Sequence, residues 1–287
     1  MTRQRVSRSS SGVVTVGALS MLAPPDGVQP SKPVPGGSSL FAAMGAWLAG
    51  RDAAICALID SEVSTELIRQ LTRAGIDLSR SRSESDGIPE EPVPEQLASI
   101  SPAWSVHLCG LSPSRQRELQ FAIRQRVMAV TVDTQRKAEL AGADRQQIVE
   151  NARAADAFLI GRGEVEHLWP GEPPREVLRI LAREGVPTAV IRLGVGGSIG
   201  IREGRISWMS AFPLTRPAAT AGGDAYAGAF SAMFAPDRNL GRAMAWATAA
   251  ASTVMESPSP LDLLTEFGRR TVESRARVLE NDLRSAP

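Results

Sequence analysis

The chain has 287 residues, 43% of them hydrophobic and 22% charged, and a formal net charge of +1 at neutral pH. This length fits one large α/β domain or two small ones, and the hydrophobic fraction excludes an intrinsically disordered protein. Because acidic and basic residues nearly balance, no strong field favours nucleic acid or an anionic membrane, and we expect neither as a partner. Cys56 and Cys109 each lie in an apolar stretch, which is typical of buried, unpaired thiols in a reducing compartment.

The amino-terminal segment imitates a targeting sequence, because residues 1–12 are rich in Arg and Ser and an apolar stretch follows them. A secretory signal needs small residues at a cleavage site, which the Pro-rich "APPDG" does not provide, whereas "GVVTVG" is typical of a first strand that enters a turn. No stretch approaches the roughly 18 apolar residues of a membrane helix. We therefore predict a disordered tail over 1–12, a single folded domain over 13–287 and a cytoplasmic protein.

From the first strand on, apolar stretches alternate with amphipathic ones. The predicted strands are 12–17, 52–59, 103–110, 127–133, 156–160 and 187–194, and the predicted helices are 36–50, 61–75, 112–126, 143–155 and 173–185. After Gly194 the pattern predicts a hairpin that turns at Glu203 and Gly204, and from Gly222 on it predicts helices. Near-continuous apolar strands between amphipathic helices predict a three-layer α/β/α sandwich with a mostly parallel sheet. Such a sheet binds ligands at the carboxyl ends of its strands.

Several common catalytic motifs are excluded. The lysines, Lys32 and Lys137, do not follow a glycine as a Walker loop requires. "GGSIG" around Ser198 fits a nucleophile elbow in spacing, but a hairpin follows it instead of a helix, and both His107 and His167 precede it. A single histidine without a second metal ligand predicts no metal site, so we interpret His167 as a surface residue and His107 as a core residue.

The stretch "ATAGGDAYAGAF", residues 219–230, allows two interpretations. In one, it is an ordinary helix start in which Asp224 complements the helix dipole. In the other, the backbone N–H groups of Ala221, Gly222 and Gly223 form an anion hole, and Asp224 takes a proton from an attacking hydroxyl. The spacing alone does not decide between them.

The same stretch resembles the second signature of the ribokinase-like, or PfkB, carbohydrate kinase family, D-T-x-G-A-G-D-x-F-x-x-G. Gly223, Asp224 and Tyr226 match it, and a later glycine, Gly228, stands one position before the last glycine of the pattern, whereas the first Asp-Thr pair has no counterpart. This resemblance implies a ribokinase-like fold and ATP-dependent phosphoryl transfer to a hydroxyl of a sugar-like substrate, with Mg²⁺ and ATP as cofactors and Asp224 as the catalytic base.

Other segments resemble the family in the same order along the chain. "PGGSS" resembles the first signature, which implies that Gly36 and Gly37 border the substrate, and "AVIRLGVGG" resembles the nucleotide-site strand. "DAFLIGRGEVEHL" resembles the N-x-x-E segment linked to magnesium, and "RAMAWATAAAS" resembles the helix that lines the adenine pocket. The implied residues are Gly194, Gly197 and Ala250 for the nucleotide and Glu166 for Mg²⁺ through water. Asp133, at the end of a strand, is either a substrate-pocket residue or an ordinary turn residue.

The chain also departs from the family pattern. Phe41, Gly163 and Arg192 stand where the family has Asn, Asn and Thr, and these losses leave open a catalytically inactive binding protein on the same fold. A nucleoside kinase is a third interpretation. The segment before Gly36 and the Pro-rich loop 80–102 are too short for a full set of lid strands, so we predict a reduced or absent β-lid. An open acceptor side favours a larger substrate or closure by a second copy of the chain in a homodimer.

Overall fold

A computed structural model describes residues 11–22, 34–83, 91–134, 144–215, 221–282 and 284–285. The predicted tail up to residue 10 and the middle of the Pro-rich loop lie outside these ranges. The first strand begins at Gly12, within the segment predicted as tail.

The chain alternates strands and helices along most of its described length. The strands are β1 (Gly12–Leu22), β2 (Val34–Gly36), β3 (Asp52–Ile59), β4 (Arg82–Ser83), β5 (Ser105–Leu108), β6 (Ala129–Asp133), β7 (Ala157–Gly161), β8 (Thr188–Arg192), β9 (Ser198–Arg202), β10 (Arg205–Met209) and β11 (Arg284–Ser285). The helices are α1 (Ser38–Leu48), α2 (Thr65–Arg73), α3 (Pro113–Ile123), α4 (Arg145–Ala154), α5 (Arg162–Leu168), α6 (Pro174–Arg183), α7 (Gly222–Phe234), α8 (Leu240–Glu256) and α9 (Glu266–Asn281).

The strands form one sheet in the order β11-β10-β9-β8-β7-β6-β5-β1-β3-β4, with β2 paired to the end of β1. From β8 to β4 the neighbours are parallel, whereas β9, β10 and β11 extend the β8 edge in antiparallel pairs. The predicted hairpin is confirmed, since β9 and β10 are joined by Glu203 and Gly204, both of which have positive φ. The prediction missed α5, β11 and the second half of β1.

Two hydrophobic cores cover the two faces of the sheet. One core is formed with α1, α2, α7, α8 and α9, and the other with α3, α4, α5 and α6. This arrangement confirms the predicted three-layer fold with a mostly parallel sheet. Within the described ranges, no helix is long and apolar enough to cross a bilayer.

Helices α1 and α7 cross at very close range. A Cβ atom on Gly228 would collide with the backbone carbonyl of Ala42, and one on Gly45 would collide with that of Ala225. Both glycines are therefore required by backbone contact, and they hold the start of α7 against α1.

The Pro-rich loop contains more structure than the composition predicted, because β4 and a 3₁₀ turn over Pro94–Leu97 lie within it. The end of β1 and β2 form a short antiparallel pair before α1, and segments 23–33 and 84–90 lie outside the described residues. The reduced lid stays a prediction.

Candidate active site

The amino end of α7 differs from that of most helices in the fold. Helices α2, α3, α4, α8 and α9 begin with a side chain that accepts a backbone N–H bond, from Ser64, Ser112, Asp144, Asn239 and Thr265 respectively. The corresponding N-cap residue of α7 is Ala221, whose side chain has no acceptor atom. Since the first N–H groups of a helix have no acceptor within the helix, those of Gly222 and Gly223 are suited to an anion.

The two glycines at this helix start, Gly222 and Gly223, have different surroundings. Gly222 is buried against the flexible Met255 side chain of α8, which would have to shift to make room for a Cβ at this position. Gly223 is exposed, and its backbone is open to a ligand. Asp224 lies half-buried in the first turn of α7. The structure therefore brings the predicted anion hole and the predicted base together at one helix end.

A buried ion pair lies beside this helix start. Arg192, the last residue of β8, donates from Nη1 and Nη2 to the two carboxylate oxygens of Asp133, at 2.5 and 2.9 Å. The exposed fractions of the two side chains are 17% and 4%. Arg192 Nη1 also donates to the carbonyl oxygen of Gly223, at 2.9 Å.

Strand β7 lies between the two strands that carry this pair. At its end it presents Gly161, which pairs in register with Arg192. The arginine reaches across the end of β7 to Asp133 at the end of β6. A Cβ on Gly161 would meet the carboxylate of Glu164 in α5, which lies close above this glycine. We call Asp133, Gly161, Glu164 and Arg192 the strand-end cluster.

The carboxylates around Arg192 determine its charge state. Burial by itself would lower the pKa of the guanidinium, but the charges of Asp133, Asp224 and Glu164 outweigh burial and raise that pKa above its usual value. Burial raises the pKa of the Asp133 carboxyl, and Arg192 opposes that rise. Arg192 is thus a permanent positive charge held next to Asp224.

The structure changes the role predicted for Asp133. Its carboxylate is almost fully buried and is bound by Arg192, so it does not face an open acceptor pocket. The prediction rested on the position of Asp133 at a strand end, which is correct. It missed the partner because Arg192 is distant in sequence.

The carboxylate that α5 turns toward the cluster is Glu164. Its charge acts on both Asp133 and Arg192. Glu166, which the sequence suggested for magnesium, instead forms an exposed ion pair with Arg162 at 2.8 Å. Gly161 and Glu164 have the same three-residue spacing as Gly163 and Glu166, so the segment fits the N-x-x-E pattern equally well when shifted by two residues.

A buried polar chain lies deeper in the sheet, next to the cluster. His107 in β5 bonds through Nδ1 to Thr131 Oγ1 at 2.9 Å, and Thr131 donates to Ser231 at 2.9 Å. Burial, aided by the charge of Arg192, lowers the pKa of His107 to about 3. His107 is therefore a neutral core histidine, as predicted. Ser198 is also buried and accepts a hydrogen bond from Tyr226, which is inconsistent with an exposed nucleophile.

The predicted substrate glycines lie at the carboxyl end of β1. Gly37 has φ of 101°, and a Cβ there would collide with the Ala18 backbone, so only glycine allows this close approach. A nearby cavity of about 130 Å³ is lined by the ends of β1, β3 and β5 together with Asp60 and Glu91. The sequence analysis missed both carboxylates. Asp60 directly follows the β3 strand pattern, a signal that was available, whereas nothing distinguishes Glu91 within the Pro-rich loop.

The residues predicted to border the nucleotide lie in different environments. Gly194 and Gly197 enclose the turn between β8 and β9, both with positive φ, and a Cβ on Gly197 would collide with the Met209 backbone. Ala250 is completely buried in the hydrophobic core and offers no surface to a nucleotide. On the same helix, Ala251 and Met255 are partly exposed and lie against Gly222.

Two other features bear on the choice of site. A cavity of about 640 Å³ lies between α4 and the α5–α6 segment, and its lining contains none of the predicted site residues. In the part of the chain that the structure describes, no group of three or more His, Cys, Asp or Glu side chains is placed to hold a metal ion.

Comparison with solved structures gives close matches in fold. Aminoimidazole riboside kinase from Salmonella enterica, in complex with aminoimidazole riboside and an ATP analogue, matches with a TM-score of 0.78 at 17% identity, over 92% of this chain and 99% of that one. Fructokinase from Vibrio cholerae O395 matches at 0.74 and 15%, over 91% and 98% of the two chains. A nucleoside kinase from Methanocaldococcus jannaschii matches at 0.71 and 14%, over 94% and 99%.

The family assignment rests on a sequence model. A search of curated proteins found no significant match. Residues 81–265, more than half of the chain, match the model of the pfkB family of carbohydrate kinases. The chain therefore belongs to the PfkB carbohydrate kinase family.

Proposed function

We propose that this protein is an ATP-dependent phosphotransferase that moves the γ-phosphoryl group to a hydroxyl of a sugar or sugar-like molecule. The observation that carries the proposal is the start of α7, where an uncapped first turn with an exposed glycine stands next to Asp224. The family and the fold make phosphoryl transfer the expected reaction, and this helix start supplies the groups that such a reaction needs.

Each group at the helix start has a role in this reaction. Asp224 takes the proton of the attacking hydroxyl, and the N–H groups of Ala221, Gly222 and Gly223 stabilise negative charge on the transferred group. Gly36 and Gly37 let the backbone approach the acceptor closely. Asp60 and Glu91, which line the cavity at the ends of β1 and β3, are suited to accept hydrogen bonds from its other hydroxyls.

The residues present are compatible with a magnesium nucleotide. When bound, Mg·ATP supplies the phosphoryl group and the divalent charge. Glu164 is suited to hold the metal through water, because its carboxylate lies at the end of β7 within the strand-end cluster. We assign it this role in place of Glu166. Gly194 and Gly197 would border the nucleotide, with Ala251 and Met255 in place of Ala250.

Two alternatives have specific support. The absence of the family's polar residues at Phe41, Gly163 and Arg192 supports a binding protein that has lost catalysis. The similarity to riboside and nucleoside kinases favours a nucleoside as acceptor. For the protein as a whole, we propose a cytoplasmic location, consistent with two free buried cysteines. A homodimer stays a prediction, which light scattering would test.

The test is a calorimetric titration of Mg·ATP into the purified protein, with Mg·GTP as control. We expect a dissociation constant between about 1 μM and 1 mM, followed by ADP release in a screen of sugars and nucleosides. Nucleotide binding without turnover of any acceptor would support the inactive binding protein. Absence of any binding heat or thermal stabilisation would contradict a kinase.

A further inference from the structure

The position of Arg192 suggests more than a structural role. Its guanidinium lies among three carboxylates, because Asp133 binds it directly and the charges of Asp224 and Glu164 both act on it. Its Nη1 atom is 3.9 Å from where a Cβ of Gly223 would be. The guanidinium is thus adjacent to the helix turn whose amides form the proposed anion hole.

Arg192 also keeps hydrogen-bond capacity. A guanidinium has five N–H donors, and within the described residues the contacts to Asp133 and Gly223 use three of them. The side chain is 17% exposed, so it is not sealed from the site. A planar fork with donors in reserve is well suited to a phosphate oxygen.

Stability alone gives little reason for this pair. Burying two charges costs about as much free energy as their attraction returns, and apolar residues of similar size often stabilise a protein as well or better. Here the guanidinium also reaches across the end of β7, whose residue in register with Arg192 is Gly161. A charge that is held this firmly beside a helix start is instead suited to binding an anion.

We propose that Arg192 binds the transferred phosphoryl group from the side of α7, and that Asp133 is the positioning residue that fixes the guanidinium. This inference rests on the proposed function and refines it. In the step itself, the acceptor oxygen forms a bond to the γ-phosphorus, the bond from that phosphorus to the ADP oxygen breaks, and Asp224 receives the hydroxyl proton. Arg192 keeps its protons throughout and offsets negative charge on the moving group.

The test compares affinities for a non-hydrolysable ATP analogue and for ADP, both with magnesium, by calorimetry. The variant Arg192→Gln/Asp133→Asn replaces the ion pair by a neutral amide pair that can still hydrogen-bond. We expect its ratio of analogue to ADP affinity to fall about tenfold relative to wild type, with ADP affinity within about twofold. Arg202→Gln, which removes an arginine bonded to Glu203 on the β9–β10 hairpin, is the matched control and should leave the ratio unchanged.

Two results would contradict the proposal in distinguishable ways, and a second variant covers the case in which the double variant does not fold. If wild type binds both nucleotides and the double variant keeps the wild-type ratio, Arg192 does not contact the phosphoryl group, and the proposed kinase function stands. If wild type binds neither nucleotide, the proposed function fails and this inference fails with it. If circular dichroism shows that the double variant is unfolded, Arg192→Lys decides, since loss of the fork should still lower the ratio and an unchanged ratio would overturn the role.

Discussion

The start of α7 and the strand-end cluster lie side by side but are built on opposite principles. The helix start is one continuous segment that offers mainly backbone N–H groups. Its glycines have no side chains, so they leave space for a ligand to approach the backbone. The cluster uses side chains from the ends of separate strands, and its central pair spans 59 positions of sequence. One region offers uncharged dipoles, and the other offers a fixed charge that is expensive to bury.

This difference shows that the two parts of the site are stabilised by different interactions. Backbone dipoles at a helix start need no charged partner to remain stable, so this region depends on helix packing. A buried arginine needs a carboxylate, so the cluster depends on electrostatics. The two regions should therefore respond differently to mutation and to pH.

Removing one member of the buried pair should have the largest effect on stability. Asp133→Ala leaves the Arg192 guanidinium without its bidentate partner, and we expect a loss of about 3 kcal/mol in the free energy of unfolding. Arg162→Gln breaks the exposed pair with Glu166 and should cost no more than about 0.5 kcal/mol. Urea denaturation of both variants measures the difference. Similar small losses would show that the cluster is not held by this ion pair.

A smaller loss is expected from crowding α7 against α1. Gly228→Ala places a methyl group on the Ala42 carbonyl, and we expect a loss of about 2 kcal/mol. Gly223→Ala has space, and alanine favours helix over glycine by up to about 1 kcal/mol, so its stability should be equal or higher. Thermal melts of the two variants provide the comparison. A Gly228→Ala protein as stable as wild type would contradict the close helix crossing.

Another expected effect is a pH dependence of stability that arises beside the cluster. The pKa of His107 is about 3 in the folded protein, compared with an ordinary value of 6.5. Between these values the unfolded chain binds a proton that the native protein does not, so stability falls as pH decreases through this window, by about 1.4 kcal/mol per pH unit. His107→Gln removes this contribution and should flatten the slope between pH 6 and 4. His167→Gln alters an exposed histidine and serves as control; if both variants kept the wild-type slope, the buried neutral His107 would be excluded.

The contrast between the two regions also explains what could be predicted from the sequence. Strand and helix alternation predicted the layers and the sheet, and Gly223-Asp224 indicated the helix start, because each signal lies within one short segment. The Asp133–Arg192 pair could not be predicted, since it depends on the order of strands in the sheet, which brings together residues 59 positions apart.

Ala250 is buried, whereas its neighbour Ala251 is partly exposed. Glu166 pairs with Arg162 at the surface, whereas Glu164 on the same helix lies beside Gly161. A shift of one or two residues along a helix changes which side chain faces a site, and the sequence pattern does not fix it.

The central claim is that Asp224 acts as a base at an anion-binding helix start. The most direct test is kinetic comparison of Asp224→Asn with wild type, with Asp237→Asn, which removes a surface partner of Arg242, as the control. We predict that Asp224→Asn lowers kcat at least about a hundredfold and leaves the calorimetric affinity for Mg·ATP nearly unchanged, whereas the control keeps full activity. Unchanged turnover in Asp224→Asn would remove Asp224 from the mechanism and contradict the account.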